Sequence, residues 1–292
     1  MENHASLGKS RIMMASSMAV FGTLAIFVRN IGVSSAEIAL YRALLAMLLL
    51  GGYFLVTGQK IRLAAIGKSL HLLLLSGVAM GFNWILLFEA YRYTTVSVAT
   101  LSYYFAPVIV TVACPILFKE KMGFKQWLCF GMSTLGIVLI TGIGDLGNGS
   151  THLLGILFGC GAAVLYATVV LLNKFIKGVA GIQRTFLQFV SAAAVLIPYV
   201  LLTGGITIGT LDMGGWGNLL IVGLVHTGIT YCMYFSALKD IPGQEAAILS
   251  YIDPLVAVGV SVFLLGEQMS LGQIIGGVLI LGFTLLNELK TN

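Results

Sequence analysis

Charge is the scarcest thing in this chain. Asp, Glu, Lys and Arg make up 9% of its 292 residues, where a soluble domain carries about 25%, so a water-facing surface of ordinary composition is excluded. Proline is sparse as well, with five residues, too few for a Pro-rich linker. Cysteine numbers four: Cys114, Cys129, Cys160 and Cys232. All lie inside apolar stretches and match neither a disulfide framework nor a metal spacing, so they read as small packing residues. The four histidines, His4, His71, His152 and His226, are dispersed, and no metal or cofactor is expected from them. No Walker loop, nucleophile elbow or selectivity-filter motif is present, which argues against an ATP-driven pump, a membrane enzyme and a channel.

What the chain has instead is apolar length. The apolar set is 58% of residues and mean hydropathy is +1.00. Runs of about 20 apolar residues recur, the length a helix needs to cross a hydrocarbon core of about 30 Å. Ten spans follow: 11–29, 35–56, 69–91, 95–117, 124–142, 152–173, 181–203, 215–238, 244–266 and 270–289. The joints hold the breakers, among them Gly58, Gly67, Thr94-Thr95, Gly144 to Ser150, Gly204-Gly205 and Pro242-Gly243. The segments are too long for barrel strands and are apolar all round rather than alternating. The expected fold is therefore all-α and integral to a membrane, with ten transmembrane helices. The first span has basic flanks but no small-residue cleavage site, and reads as uncleaved.

Charge placement sets the orientation. With the N-terminus cytoplasmic, one set of helix ends carries Lys9, Arg11, Lys60, Arg62, Lys68, Lys119, Lys121, Lys125, Lys174, Lys177, Arg184, Lys239 and Lys290. The opposite ends carry only Arg29 and Arg92, and Arg42 lies within a span. This is the positive-inside bias, and it accounts for the net charge of +5. The expected place is the cytoplasmic (inner) membrane, multi-pass, with both termini cytoplasmic. The basic residues form no patch interleaved with exposed aromatics, so no nucleic-acid partner is expected.

The two halves repeat. Shifted by 147 positions, residues 84–126 fall on residues 231–273 without a gap: Phe88 on Phe235, Ala90 on Ala237, Tyr104 on Tyr251, Pro107 on Pro254, Glu120 on Glu267 and Gln126 on Gln273. Five spans per half is an odd number, so the second half must enter the membrane in the opposite sense. The expectation is two inverted-topology five-helix repeats, residues 1–145 and 146–292, an arrangement associated with carriers.

With these motifs in hand, the chain resembles the ten-helix drug/metabolite transporters with two EamA-type repeats. The residues that carry the resemblance are Arg42 in span 2, Pro107 with Glu120, and Pro254 with Gly266-Glu267. Each Glu is followed by a Gln and a Gly-rich helix: Gln126 with Gly131 and Gly136, and Gln273 with Gly276, Gly277 and Gly282. The resemblance covers nearly the whole chain and implies a membrane carrier. It says little of the substrate, since the family handles amino acids, amines, sugars and nucleotide-sugars.

Candidate site residues are those that cost energy inside a membrane. A charge at a helix centre costs about 2.5–3.5 kcal/mol. Asp253 lies nine residues into span 9, roughly 14 Å deep at 1.5 Å per residue. It precedes Pro254, whose missing N–H leaves a nearby carbonyl unpaired. It reads either as a site for a proton or substrate amine, or as a hydrogen-bonded structural acid. His226, near the middle of span 8, is either a proton relay or a packing residue. Arg42 either binds a substrate carboxylate or pairs with Glu89 or Asp253. Glu37 and Glu245 sit at helix starts, where the dipole favours acids. Aromatics form a second constellation: Trp84 and Phe88, their mates Tyr231 and Phe235, Tyr91, and Tyr104 and Tyr251 before the two prolines, with Asn83 at matching depth.

These residues together suggest an aromatic-walled chamber for a small-molecule substrate. The expected function is a secondary carrier for an amino-acid-like metabolite, proton-linked or facilitated. The alternative is a carrier of organic cations that uses Asp253 and the aromatic box. Asp253 and His226 are the candidates for proton coupling, and Pro107 and Pro254 for hinges between the halves. The expected partners are the substrate and the lipid bilayer, the chain itself being a monomer or weak dimer.

Overall fold

The computed structural model describes residues 2–59, 67–118, 123–141, 151–176, 179, 181–238, 240–241 and 243–289. Glu120 and the Gly144 to Ser150 joint, with the boundary set between the halves at 145 and 146, lie outside the described residues. So do Lys60, Arg62, Lys119, Lys121, Lys177, Lys239, Pro242 and Lys290. The described residues are helical and contain no strand. Seven helices are long and apolar enough to cross a membrane: α1 (Leu7–Arg29), α2 (Ser35–Thr57), α3 (Leu70–Tyr93), α4 (Val96–Ala113), α6 (Thr151–Phe175), α7 (Gly181–Thr203) and α8 (Met213–Ala237). Three shorter apolar helices complete the set: α5 (Phe124–Ile140), α9 (Ile248–Leu264) and α10 (Leu271–Asn287).

Local chemistry sets the helix ends. Ser34 accepts from the Glu37 N–H at the start of α2, and Gly58 ends it at φ 64°, a left-handed turn open to glycine. Thr95 accepts from the Val98 N–H to begin α4. Asp212 does the same for the Gly215 N–H ahead of α8. At α10, Ser270 and Gln273 form a reciprocal capping box.

Two spans are broken at matching places. In α4 the helix stops at Tyr103 and resumes at Ala106. In α9 the pieces Gly243–Ser250 and Ile252–Gly259 meet at Tyr251. Each break lies just ahead of a proline, Pro107 or Pro254, which cannot donate to the carbonyl four residues back. The helix α8 departs differently. Its turn over Ile221–Ile229 is π-helical, and side chains there bond five residues back: Thr227 Oγ1 donates to the Val222 carbonyl and Thr230 Oγ1 to the Val225 carbonyl, each at 2.8 Å.

The packing follows the repeat. The main helix pairs are α3 with α6, α1 with α8, α5 with α10, α3 with α7, α2 with α8, α2 with α7, α4 with α6 and α1 with α9. Exchanging the halves turns α1–α8 into α3–α6, α2–α8 into α3–α7 and α1–α9 into α4–α6, while α2–α7 and α5–α10 map onto themselves. A twofold relation between the halves requires this exchange.

Glycines permit the closest approaches, as expected where packing rather than the hydrophobic effect drives helix association. A Cβ on Gly136 of α5 would lie 2.7 Å from the Gly276 carbonyl oxygen of α10, and one on Gly276 would lie 2.5 Å from that of Gly136. Replacing Gly276 by Val should therefore overpack this crossing at a cost of about 1–3 kcal/mol. The thermal midpoint of the purified protein in detergent should fall by a few degrees. An unchanged midpoint would mean that α5 and α10 do not cross in this way.

Candidate functional site

The helices enclose a cavity of about 420 Å³, within the usual range for small-molecule sites. Its wall is largely aromatic: Phe21, Trp84, Tyr91, Tyr103, Tyr104, Tyr166, Tyr231, Tyr234 and Phe235 line it. Three charged side chains also line it: Arg42, Arg184 and Asp253.

Arg42 sits two turns into α2 and is 3% exposed. Its Nε donates to Thr227 Oγ1 at 2.6 Å. Because the Thr227 hydroxyl proton goes to the Val222 carbonyl, its oxygen is left to accept from Arg42. The guanidinium carbon lies 4.5 Å from the Trp84 ring centroid and 5.7 Å from that of Phe88. Those two rings share a face of α3 by i, i+4 spacing, and aromatic faces attract such a cation. Arg42 forms no ion pair among the described residues. The pairings considered from the sequence are not made: Glu89 faces Arg92 at 3.9 Å, and Asp253 is held elsewhere.

Asp253 stands at the break in α9. The Tyr104 hydroxyl donates to its Oδ2 at 2.9 Å and lies 3.3 Å from the Ser250 carbonyl oxygen. Ser250 is four residues before Pro254, so this is the carbonyl that proline leaves without its helical N–H. Gly22 of α1 admits the Asp253 backbone, since a Cβ there would fall 2.6 Å from the Asp253 carbonyl oxygen. Asp253 is the only carboxylate among the described residues lining the cavity.

Of the residues singled out in the sequence, Arg42, Trp84, Tyr91, Tyr104, Pro107, Tyr231, Phe235 and Asp253 line the cavity. Asn83, Phe88, Tyr251, Pro254 and His226 do not. Asn83 Nδ2 donates to the Ala162 carbonyl at 2.6 Å, between α3 and α6. Phe88 lies behind Arg42 and is fully buried. Tyr251 is buried with its ring 6.5 Å from that of Tyr104, and Pro254 is buried in α9. His226 faces α1, with Nε2 3.0 Å from Thr23 Oγ1 and its ring 4.9 Å from that of Phe27. Depth along a helix can be read from sequence, whereas rotation about its axis depends on which neighbour packs there. Arg184, Asn173 and Gln188 also line the cavity. Charge bias alone accounts for Arg184 in the sequence. The signal that could have found it is its position inside an apolar span, on one helix with Gln188.

The backbone of Tyr91, which lines the cavity, joins a polar cluster. Arg29 Nε donates to the Tyr91 carbonyl at 2.8 Å, its Nη2 to the Thr94 carbonyl at 2.6 Å, and its Nη1 pairs with Glu267. Glu267 Oε2 accepts from the Val96 N–H at 2.8 Å and from the Ser261 hydroxyl. Val96 opens α4, so the acid also meets the positive end of that helix. The cluster ties α1, the α3–α4 joint and α9 together. At the basic end, the second link of this kind joins Arg11 to Glu245.

Comparison with known proteins adds the relations of the chain. Residues 9–142 and 153–288 each match the EamA-like transporter family. The chain is similar to the uncharacterized transporter YxxF of Bacillus subtilis (strain 168), 31% identical over 274 residues, with 92% of this chain and 86% of the relative covered. It is also similar to an uncharacterized transporter of Archaeoglobus fulgidus, 30% identical over 284 residues and covering 96% and 95%. A crystal structure of a protein with 16% identity superposes at a TM-score of 0.63 over 96% of each chain, a likeness of fold alone.

The Glu267 cluster gives a direct test of the packing. With the side chains of Arg29 and Glu267 27% and 12% exposed, Glu267→Ala should cost about 2–3 kcal/mol, somewhat below the roughly 3–5 kcal/mol of breaking a fully buried pair because water screens this one. It removes the acceptor of Arg29 Nη1, the Val96 N–H and the Ser261 hydroxyl at once. Glu267→Gln, which keeps an acceptor oxygen, should lose less. Thermal unfolding in detergent reads both, and an alanine variant as stable as the parent would refute the cluster.

Proposed function

The chain belongs to the EamA-like transporter family, and from that premise we propose that it carries a small amino-acid-like zwitterion across the cytoplasmic membrane by alternating access. One observation carries the reading: a buried guanidinium and a half-buried carboxylate, Arg42 and Asp253, line one cavity and do not pair with each other. Each is held by a single neutral hydroxyl, Thr227 or Tyr104. Unspent charges of both signs in a low-dielectric chamber suit a ligand bearing both, with its carboxylate on Arg42 and its ammonium on Asp253. The aromatic walls take the apolar remainder of the ligand.

The two halves, in inverted topology, rock about the midplane and bend at the breaks ahead of Pro107 and Pro254. Asp253 takes either the substrate ammonium or a proton, so that it never crosses the hydrocarbon as a bare anion. His226, packed against α1 outside the cavity, has no part in this scheme. The basic helix ends lie in the cytoplasm, and Arg29 with Glu267 closes the opposite end. An organic-cation carrier is the second reading. It is less well supported, because Arg42 in the same chamber repels a ligand that is only cationic.

Uptake into proteoliposomes distinguishes the two. Neutral and aromatic amino acids are offered beside choline, to the parent protein and to Asp253→Asn and Arg42→Gln. Zwitterion uptake should fall about tenfold or more in each variant, as loss of a charged contact of about 1.5–3 kcal/mol implies. Choline uptake that needs Asp253 but not Arg42 would establish the cation reading. Zwitterion uptake that ignores Asp253→Asn would refute the role of that acid.

A further inference from the structure

The cavity holds one more cation than the proposed ligand needs. Arg184 lines it near the start of α7, half-buried, and forms no ion pair among the described residues. Its contact is a long one, Nη1 to the Asn173 carbonyl oxygen at 3.4 Å. A guanidinium carries five N–H donors in a planar fork suited to carboxylates, and most of this fork is unspent. Another arginine at this end, Arg11, is already paired with Glu245.

The neighbouring amide points the same way. Gln188 Nε2 donates to Ser76 Oγ at 2.5 Å and to Asn173 Oδ1 at 2.9 Å. Gln188 is 1% exposed, and its Nε2 meets the oxygen end of the Asn173 amide. The Asn173 Nδ2 group is thereby turned away from Gln188, and it has no hydrogen-bond partner among the described residues. Two groups of donors, guanidinium and amide, converge on the cavity wall with no acceptor of opposite charge beside them. We propose that Arg184 and Asn173 form a second, carboxylate-binding site at the basic end of the cavity, where a carboxylate is captured before it reaches Arg42.

Distance makes this a relay rather than a second arm of one site. The Arg42 guanidinium is pinned over Trp84 and Phe88, roughly 10 Å in from the end of α3 that bears Tyr93, at 1.5 Å per residue. Arg184 touches Asn173, two residues from the opposite end of the bundle. Across a core of about 30 Å the two positions differ in depth by roughly 15 Å at 1.5 Å per residue, several times the separation of the two carboxylates of a small dicarboxylic amino acid. One carboxylate visits the two sites in turn. The handover direction rests on the zwitterion reading above, whereas the site itself does not.

Two measurements separate them. Arginine-specific labelling of the purified protein with phenylglyoxal, read by mass spectrometry on the Arg184 peptide, should be slowed several-fold by propionate or alanine. Choline should have no effect, and Asn173→Asp should abolish the protection. Labelling that carboxylates leave unchanged would overturn the site even if zwitterions are transported. Protection without zwitterion transport would support the site and refute the reading of the preceding section. In oriented proteoliposomes, Arg184→Gln should raise KM about tenfold, as expected for a lost charged hydrogen bond, for substrate offered at the basic face only, with kcat nearly kept. Arg184→Lys, which preserves the topology charge but not the fork, should fall between. An equal rise in KM from both faces, or a change in kcat alone, would refute the capture role.

Discussion

One hydroxyl bridges the two halves where the membrane is least forgiving. In hydrocarbon every backbone carbonyl must find a donor, and Pro254 withholds the one due to Ser250. The Tyr104 hydroxyl, from the first repeat, reaches that carbonyl and the neighbouring Asp253 carboxylate together. The break in α9, the depth of the acid and the position of the tyrosine in α4 are thus one arrangement.

Arg42 poses the same problem with the opposite sign. A guanidinium in the span costs about 2.5–3.5 kcal/mol. A hydrogen bond to a charged group returns about 1.5–3 kcal/mol, and a ring face about 0.5–2 kcal/mol. Thr227, Trp84 and Phe88 are of the right size to hold the cation without an acid. The charge is accommodated yet left available to a carboxylate.

Much of the architecture was legible before the fold was seen. The expected span 35–56 is observed as Ser35–Thr57, because the Ser34 cap and the left-handed Gly58 bracket it. The expected span 181–203 is observed with the same bounds. Hydropathy and breakers report where helices begin and end, and for these two that transferred; of the ten expected spans, seven are long enough to cross a membrane among the described residues, and those expected at 124–142, 244–266 and 270–289 are shorter. Rotation did not transfer. Asn83 and Trp84 are neighbours at equal depth, yet only Trp84 reaches the cavity. In α8, i to i+5 winding over Ile221–Ile229 turns less per residue than an α-helix, so a periodicity counted at 3.6 misplaces His226. The Arg29–Glu267 cluster was illegible for another reason. Its partners are backbone groups of residues 91, 94 and 96, and no residue type announces them.

The exchange of helix pairs between the halves has a chemical consequence. Since each main packed crossing has a counterpart in the other repeat or maps onto itself, exchanging the halves keeps the same set of helix partners. Whatever asymmetry exists must come from positions where the duplicated sequence has diverged, such as Asp253 against Ala106 and His226 against Ala79. Among those positions the polar ones lie inside the spans, and there one half is chemically set apart from the other.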